Sequence, residues 1–221
     1  MGIQPIFPLP IFLDEAEGSE YTDIQKELTD TKSKLKFNDR KSYFNDGNND
    51  KGVDNGRYML LSENPFNSNF LIKYECHHTI KFINKTIDKF ITSLYGEYDK
   101  DIFKWVILES WMTKTTKGRC AIEHSHGGYD ISGVYYLDTN GNDGNLILTN
   151  PNHLLECNML LHNLLQSDGN IAMPLKNGKI FLWPGQLRHK TLINETDHER
   201  ISISFNIAIS RKRLFADNGL D

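Results

Sequence analysis

Eleven residues after His189 comes Arg200, which opens the segment Arg200–Ile–Ser–Ile–Ser–Phe–Asn206. In an extended chain successive side chains point to opposite faces. Arg200, Ser202, Ser204 and Asn206 therefore share one face, and Ile201, Ile203, Phe205 and Ile207 share the other. The apolar face packs on a core. The polar face carries an arginine, a residue rarely buried without an anionic partner. A histidine followed by a strand that presents Arg-x-Ser to a cavity is one way to hold a metal and anchor a small dicarboxylate beside it. Two further histidines stand as His124–Ser125–His126, 63 residues before His189 as counted from His126. Positions i and i+2 of an extended segment point to the same side, so both imidazoles can reach one ion. Imidazole suits iron, zinc, copper and nickel, so ligand type alone does not choose the metal.

Each of these features has a plainer reading. A lone His-x-His is a weak signal, an isolated His189 is most often a core or surface residue, and an isolated Arg200 most often pairs with a surface carboxylate. Their order along the chain is what raises them together. His77–His78 opens an amphipathic helix and reads as capping or packing. His153, His162 and His198 have no spaced partner and read as structural.

A chain of 221 residues, 38% hydrophobic and 24% charged, has the composition of a soluble globular protein with a sizeable core. The net charge of −4 argues against a surface built for phosphate contacts, and no nucleic-acid partner is expected. The opening MGIQPIFPLPIF is apolar but interrupted by three prolines and lacks a basic flank, so no signal peptide is expected. No run approaches the ~20 apolar residues that span a bilayer. Ile6 stands where a myristoylation motif needs Ser or Thr. Three widely spaced cysteines, Cys76, Cys120 and Cys157, fit reduced thiols in a cytoplasm better than a disulfide framework. The sequons at Asn84 and Asn194 are read as chance. Nothing in the sequence decides between a monomer and a homodimer.

The elements that must position these residues divide near residue 100. Residues 1–100 read as a helical and extended region packing on a barrel. They comprise an extended stretch over 3–13, a solvated helix over Glu20 to Lys36, a long polar loop over Asn38 to Gly56, and an amphipathic helix over Asn69 to Tyr95. The polar loop is a candidate lid. Residues 101–221 read as strands: Trp105–Trp111, Ile131–Leu137, Asn145–Thr149, Gly178–Trp183, 188–193 and 199–209. The turn Asp138–Gly144 reads as the tip of a hairpin, and Asn152 to Leu165 as a short helix. The whole suggests a mainly β chain with flanking helices, a double-sheet jelly roll or cupin-like barrel in one compact domain. On such a barrel the paired and distal histidines form a facial site with open positions, as expected of non-haem Fe(II) oxygenases.

At these residues the chain resembles the Fe(II)- and 2-oxoglutarate-dependent oxygenases, most closely a bacterial and phage branch related to prolyl hydroxylases. The resemblance is carried by Ser110–Trp111, His124–Ser–His126, Ser132–Gly–Val–Tyr–Tyr–Leu137 and Gly144–Asn–Leu146. It continues through Gly178–Lys–Ile–Phe–Leu–Trp–Pro184, His189 and Arg200 to Asn206. It implies a double-stranded β-helix and oxidative decarboxylation of 2-oxoglutarate to succinate and CO2, coupled to oxidation of a substrate C–H bond by O2. Ascorbate would be an accessory reductant. The resemblance makes His124 and His189 iron ligands and Arg200 the partner of the distal carboxylate of 2-oxoglutarate, with Ser202 and Tyr136 as further donors. It also implies a cytoplasmic enzyme, in the host cytoplasm if phage-encoded, acting on a peptide side chain or a small molecule.

One departure stands out. Most of that superfamily has His-x-Asp or His-x-Glu, and here His126 occupies the acidic position. His126 can ligate and give a three-histidine set, solvent or a halide can fill the place, or Asp130 or Glu123 can swing in. Two other functions stay open at this point: a cupin-like metal enzyme that does not use 2-oxoglutarate, and a non-catalytic jelly-roll binding module. Arg200 with Ser202 argues against the first, and the convergence of three histidines with Arg-x-Ser against the second. Trp183 reads either as a substrate-pocket wall or as a core aromatic.

Overall fold

A computed structural model describes residues 9–39, 60–61, 69–97, 102–151 and 170–211. In chain order the elements are β1 (Phe12–Glu15), α1 (Gly18–Lys32), β2 (Asn38–Asp39), β3 (Leu60–Leu61), α2 (Phe70–Lys73), α3 (His77–Tyr95), β4 (Phe103–Thr115) and β5 (Ile131–Asp138). They continue with β6 (Leu146–Leu148), β7 (Ile171–Met173), β8 (Lys179–Pro184), β9 (His189–Thr191) and β10 (Arg200–Arg211). Residues 40–56 of the expected lid, the expected helix over 152–165, His153, His162 and Cys157 lie outside the described residues.

The strands form two antiparallel sheets. The larger has the order β1-β8-β5-β10-β4-β3-β2 and the smaller β7-β6-β9. The alternation read from Arg200 to Ile207 is what separates the two sides of the larger sheet. Ile201, Ile203, Phe205 and Ile207 enter a core with Ile24 and Leu28 of α1 and Phe82, Ile83 and Ile87 of α3. On the opposite face Val134, Tyr136, Phe181 and Trp183 pack against Leu146, Leu148 and Met173 of the smaller sheet. Helices, large sheet and small sheet thus make three layers. The jelly-roll type is as expected, but the described strands close no barrel. The larger sheet is covered on both faces, so packing takes the place that closure would have.

Two expectations change. The helix expected over Asn69 to Tyr95 is broken: Glu75 adopts φ 52° and ends α2. α3 then restarts against α1, whose Glu27 carboxylate accepts the backbone N–H of His78 and of Thr79, each at 2.9 Å. That carboxylate satisfies donors that a new helix start would otherwise leave unpaired. The turn at 138–144 is not a hairpin tip. β5 pairs with β8 and β10, whereas β6 pairs with β7 and β9, so the turn carries the chain from one sheet to the other. The described end of the N-terminal stretch is tied to the core, because β1 pairs with β8 at the sheet edge. Among the described residues no helix is long and apolar enough to cross a membrane.

Gly133, at the centre of β5, is a close approach. A Cβ there would lie 2.4 Å from the Phe205 ring and 2.7 Å from Leu182. Both neighbours are fully buried, so neither can move aside cheaply. Gly133→Val is expected to destabilise the protein by about 1–3 kcal/mol, the usual penalty for overpacking a filled core. Urea unfolding would register it as a lower midpoint at unchanged slope.

Candidate metal centre and anion pocket

Between the two sheets lies a cavity of about 420 Å3. Its described lining carries one residue of each formal charge, Glu109 and Arg200, together with His124, His126 and His189.

The histidines come together through backbone pairing. His124 and His189 form an isolated antiparallel bridge, with His124 N–H donating to His189 O at 3.0 Å and His189 N–H to His124 O at 2.8 Å. His126 N–H donates to Gly185 O at 2.7 Å, which fastens the His124–His126 segment to the turn after β8. Gly185 is required there, since a Cβ would lie 2.3 Å from Tyr129 O and 2.8 Å from His126 O. One ring nitrogen from each of His124, His126 and His189 lies within 4.8 Å of the others. The Nδ1 atoms are engaged outward: that of His124 lies 2.7 Å from Ile122 O and that of His189 2.9 Å from Leu187 O. A carbonyl oxygen only accepts, so Nδ1 carries the proton in both rings and the lone pair falls on Nε2. His126 Nδ1 lies 2.6 Å from Asn206 Oδ1. Three imidazoles converging with their Nδ1 atoms engaged from behind fit a divalent transition metal.

The alternative acids are committed elsewhere. Glu123 pairs with Arg188 at 2.7 Å and accepts from Thr149 at 3.2 Å. The bond from Arg188 holds its carboxyl below the usual carboxylate range. Asp130 accepts from the N–H of Ile209 at 2.7 Å. His198 stands apart, 3.2 Å from Asp138, and His77 and His78 are exposed at the start of α3.

Arg200 is 1% exposed. Its Nη1 donates to the carbonyl oxygens of Asp143, at 2.8 Å, and of Gly144. Its Nη2 donates to Thr115 Oγ1 at 3.3 Å, and its Nε has no partner. Among the described residues no carboxylate forms an ion pair with it. Nε–H and one Nη2–H are left without a described acceptor, and a guanidinium uses such a pair of donors to grip a carboxylate with two bonds. Ser202 and Tyr136 line the same cavity and are cross-strand partners. The Tyr136 phenol is pushed up to about 12 by burial, against the lowering effect of Arg200, so it stays protonated and can donate. A buried fork without an anion suits a dicarboxylate.

Residues 109–206 match the family model described as "Putative 2OG-Fe(II) oxygenase". This segment is similar to the core of the 2OG-Fe(II) oxygenases. The match favours an oxidoreductase with Fe(II) and 2-oxoglutarate as cofactors over the cupin-like and non-catalytic readings. None of the curated proteins matches the chain by sequence. Among solved structures it is similar in fold to the α-ketoglutarate-dependent carbocyclase SnoK from nogalamycin biosynthesis, at TM-score 0.58 and 10% identity, covering 95% of this chain and 85% of that one. It is also similar to a Pseudomonas putida prolyl-4-hydroxylase, at TM-score 0.52 and 12% identity, covering 92% and 94%. A third is HygX from Streptomyces hygroscopicus with nickel, 2-oxoglutarate and hygromycin B bound, at TM-score 0.51 and 12% identity, covering 90% and 83%.

Sequence reasoning passed over Glu109. In a regular strand Ile107 and Glu109 share a face. Here the register shifts between Asn206 and Ile207, leaving Leu108 as an extra residue. The bulge puts Ile107 in the helix-side core and Glu109, 7% exposed, in the cavity. A glutamate directly after the apolar run Trp105–Leu108 was the available signal. Trp183 is buried and also lines the cavity, and its Nε1 has no partner.

Gly144 holds the anion end open. It adopts φ 96°, and a Cβ would meet Leu192 O at 2.3 Å and Arg200 Nη1 at 3.1 Å. Gly144→Ala is expected to lower the melting temperature and, by displacing Arg200, to weaken 2-oxoglutarate binding roughly tenfold or more. Calorimetry with Ni(II) in place of Fe(II) would measure it.

Proposed function

We propose that this chain is a 2-oxoglutarate-dependent hydroxylase similar to the prolyl hydroxylases, in which His124, His126 and His189 hold Fe(II) and Arg200 holds the cosubstrate. The observation that carries the reading is the buried Arg200 guanidinium, which has an unpartnered Nε–H, no described anion, and a place in the lining of the cavity that the three histidines share. A buried arginine with that donor unmet costs several kcal/mol unless an anion reaches it.

The residues divide the work. The Arg200 fork grips the distal carboxylate of 2-oxoglutarate, and the Ser202 and Tyr136 hydroxyls donate to the same group. This fixes the dianion at one end, so that its 2-oxo acid end faces the histidines. Val134, Leu146 and Trp111 give that space an apolar wall, which keeps water from competing for the buried charges. Fe(II), when bound, supplies the redox chemistry by which O2 is divided between 2-oxoglutarate, yielding succinate and CO2, and the substrate carbon, yielding an alcohol. The substrate is a peptide side chain or a small molecule that enters past the Gly127–Gly128 rim, where neither glycine has a neighbour within 4 Å of its Cβ position.

Anaerobic addition of Fe(II) and then 2-oxoglutarate to the metal-free protein is expected to produce a metal-to-ligand charge-transfer band that needs both. Arg200→Ala is expected to abolish the band while leaving Fe(II) bound. His126→Ala is expected to weaken Fe(II) far more than Asp130→Ala. The reverse order would overturn the three-histidine assignment, and iron uptake without a band in the unaltered protein would overturn the cosubstrate assignment.

A further inference from the structure

Glu109 is a buried carboxylate whose described partners are both neutral. Its Oε2 accepts from Asn206 Nδ2 at 3.0 Å, and the Tyr129 phenol lies close enough for Glu109 to act on it. Among the described residues no cation pairs with it. The Tyr129 phenol is pushed up to about 12, first by burial and then by Glu109, so it remains a donor. Burying a carboxylate among neutral neighbours with no counter-charge is unfavourable in an isolated fold. The groups on its far side explain its position.

A carboxylate has no proton to give, so the Asn206 amide must turn its NH2 toward Glu109. That leaves Asn206 Oδ1 facing His126 Nδ1 at 2.6 Å. An oxygen acceptor places the proton on Nδ1 and the lone pair on Nε2. Ser132 Oγ donates to the same Oδ1 at 2.9 Å and lies 3.0 Å from His126 Nδ1. The three residues form a row across the sheet: Glu109 of β4 is the register partner of Asn206 of β10, which is the partner of Ser132 of β5. His124 and His189 rest on backbone carbonyls, which no side-chain substitution removes. The described acceptors behind His126 are side chains.

We propose that Glu109 is a positioning residue that, through Asn206, fixes the Nδ1–H tautomer of His126 and supplies the negative charge that a set of three neutral histidines lacks. The proposal rests on the reading of those histidines as the metal ligands. Such outer groups typically change metal affinity by roughly 10–100-fold.

The test compares the intact chain with Glu109→Gln and with the double variant Glu109→Gln, Asn206→Asp. In the double variant the amide and the carboxylate exchange places, so an acceptor again faces His126 Nδ1. Long-range 1H–15N spectra of the metal-free proteins read the tautomer, and Co(II) titration reads the affinity. The intact protein is expected to show His126 protonated on Nδ1. Glu109→Gln, whose amide can present either end to Asn206, is expected to shift His126 toward Nε2–H and weaken Co(II) by roughly 10–100-fold. The double variant is expected to recover both, a rescue that a merely structural role for Glu109 does not predict. An Nε2–H tautomer in the intact protein overturns the proposal, as does a Glu109→Gln protein with unchanged spectrum and affinity. If Glu109→Gln fails to fold, the intact protein and the double variant decide. Failure of the intact protein to take up Co(II) would instead sink the ligand assignment itself, and an unaltered tautomer in Glu109→Gln would still overturn this inference.

Discussion

A strand flanked on both sides can present charged groups to a cavity only if every second residue is apolar and its register with both neighbours is locked. β10 is that strand. Its Ile201, Ile203, Phe205 and Ile207 are sealed against the helices, and this leaves Arg200, Ser202 and Asn206 no choice but the cavity. A slip of one residue against β4 or β5 would drive an arginine into the helix-side core and four large apolar side chains into the pocket. The fit of Gly133 under the Phe205 ring and the bulge opposite Asn206 both hold the register against that slip.

Given that register, the cavity acquires one buried anion and one buried cation at different places in its lining. Neither finds an ion-pair partner among the described residues. Such an arrangement is expensive for the protein alone, because each charge has given up water for neutral dipoles. In the proposed site it is complementary to a bound pair of opposite character: a metal cation held by the histidines, and a dicarboxylate dianion at Arg200. On that reading the charges contribute to ligand binding what they withhold from the stability of the fold alone, as is usual where function and stability compete.

How much of this was legible in the sequence follows from which interactions are local. The alternation of Arg200 to Ile207 is a period-2 pattern, and it placed the strand, its two faces and Arg200 correctly. The pairing of His124 and His126 with His189 was legible as order and spacing. Other features depend on contacts that no local window contains. α3 restarts at His77 because a carboxylate on α1 caps it, and the apolar periodicity runs through that break without a sign. The Asp138–Gly144 turn has hairpin composition, yet β5 and β6 belong to different sheets because their partners lie far along the chain. Glu109 was hidden by the bulge at Leu108, which reverses the face that simple alternation assigns.

The same distinction explains how a chain at 10–12% identity to solved neighbours keeps their fold. The helix-side positions need only be apolar and of suitable size, a demand many sequences meet. The cavity positions are constrained by chemistry. There His126 brings a consequence that a carboxylate would not: it adds no charge to offset a metal dication. In the proposed site the missing charge is moved outward, to Glu109, and is transmitted by an amide that has one acceptable orientation. A ligand replaced by a neutral residue thus remains workable when the strand behind it can hold an anion in line, and the bulge at Leu108 is the backbone feature that lets β4 do so.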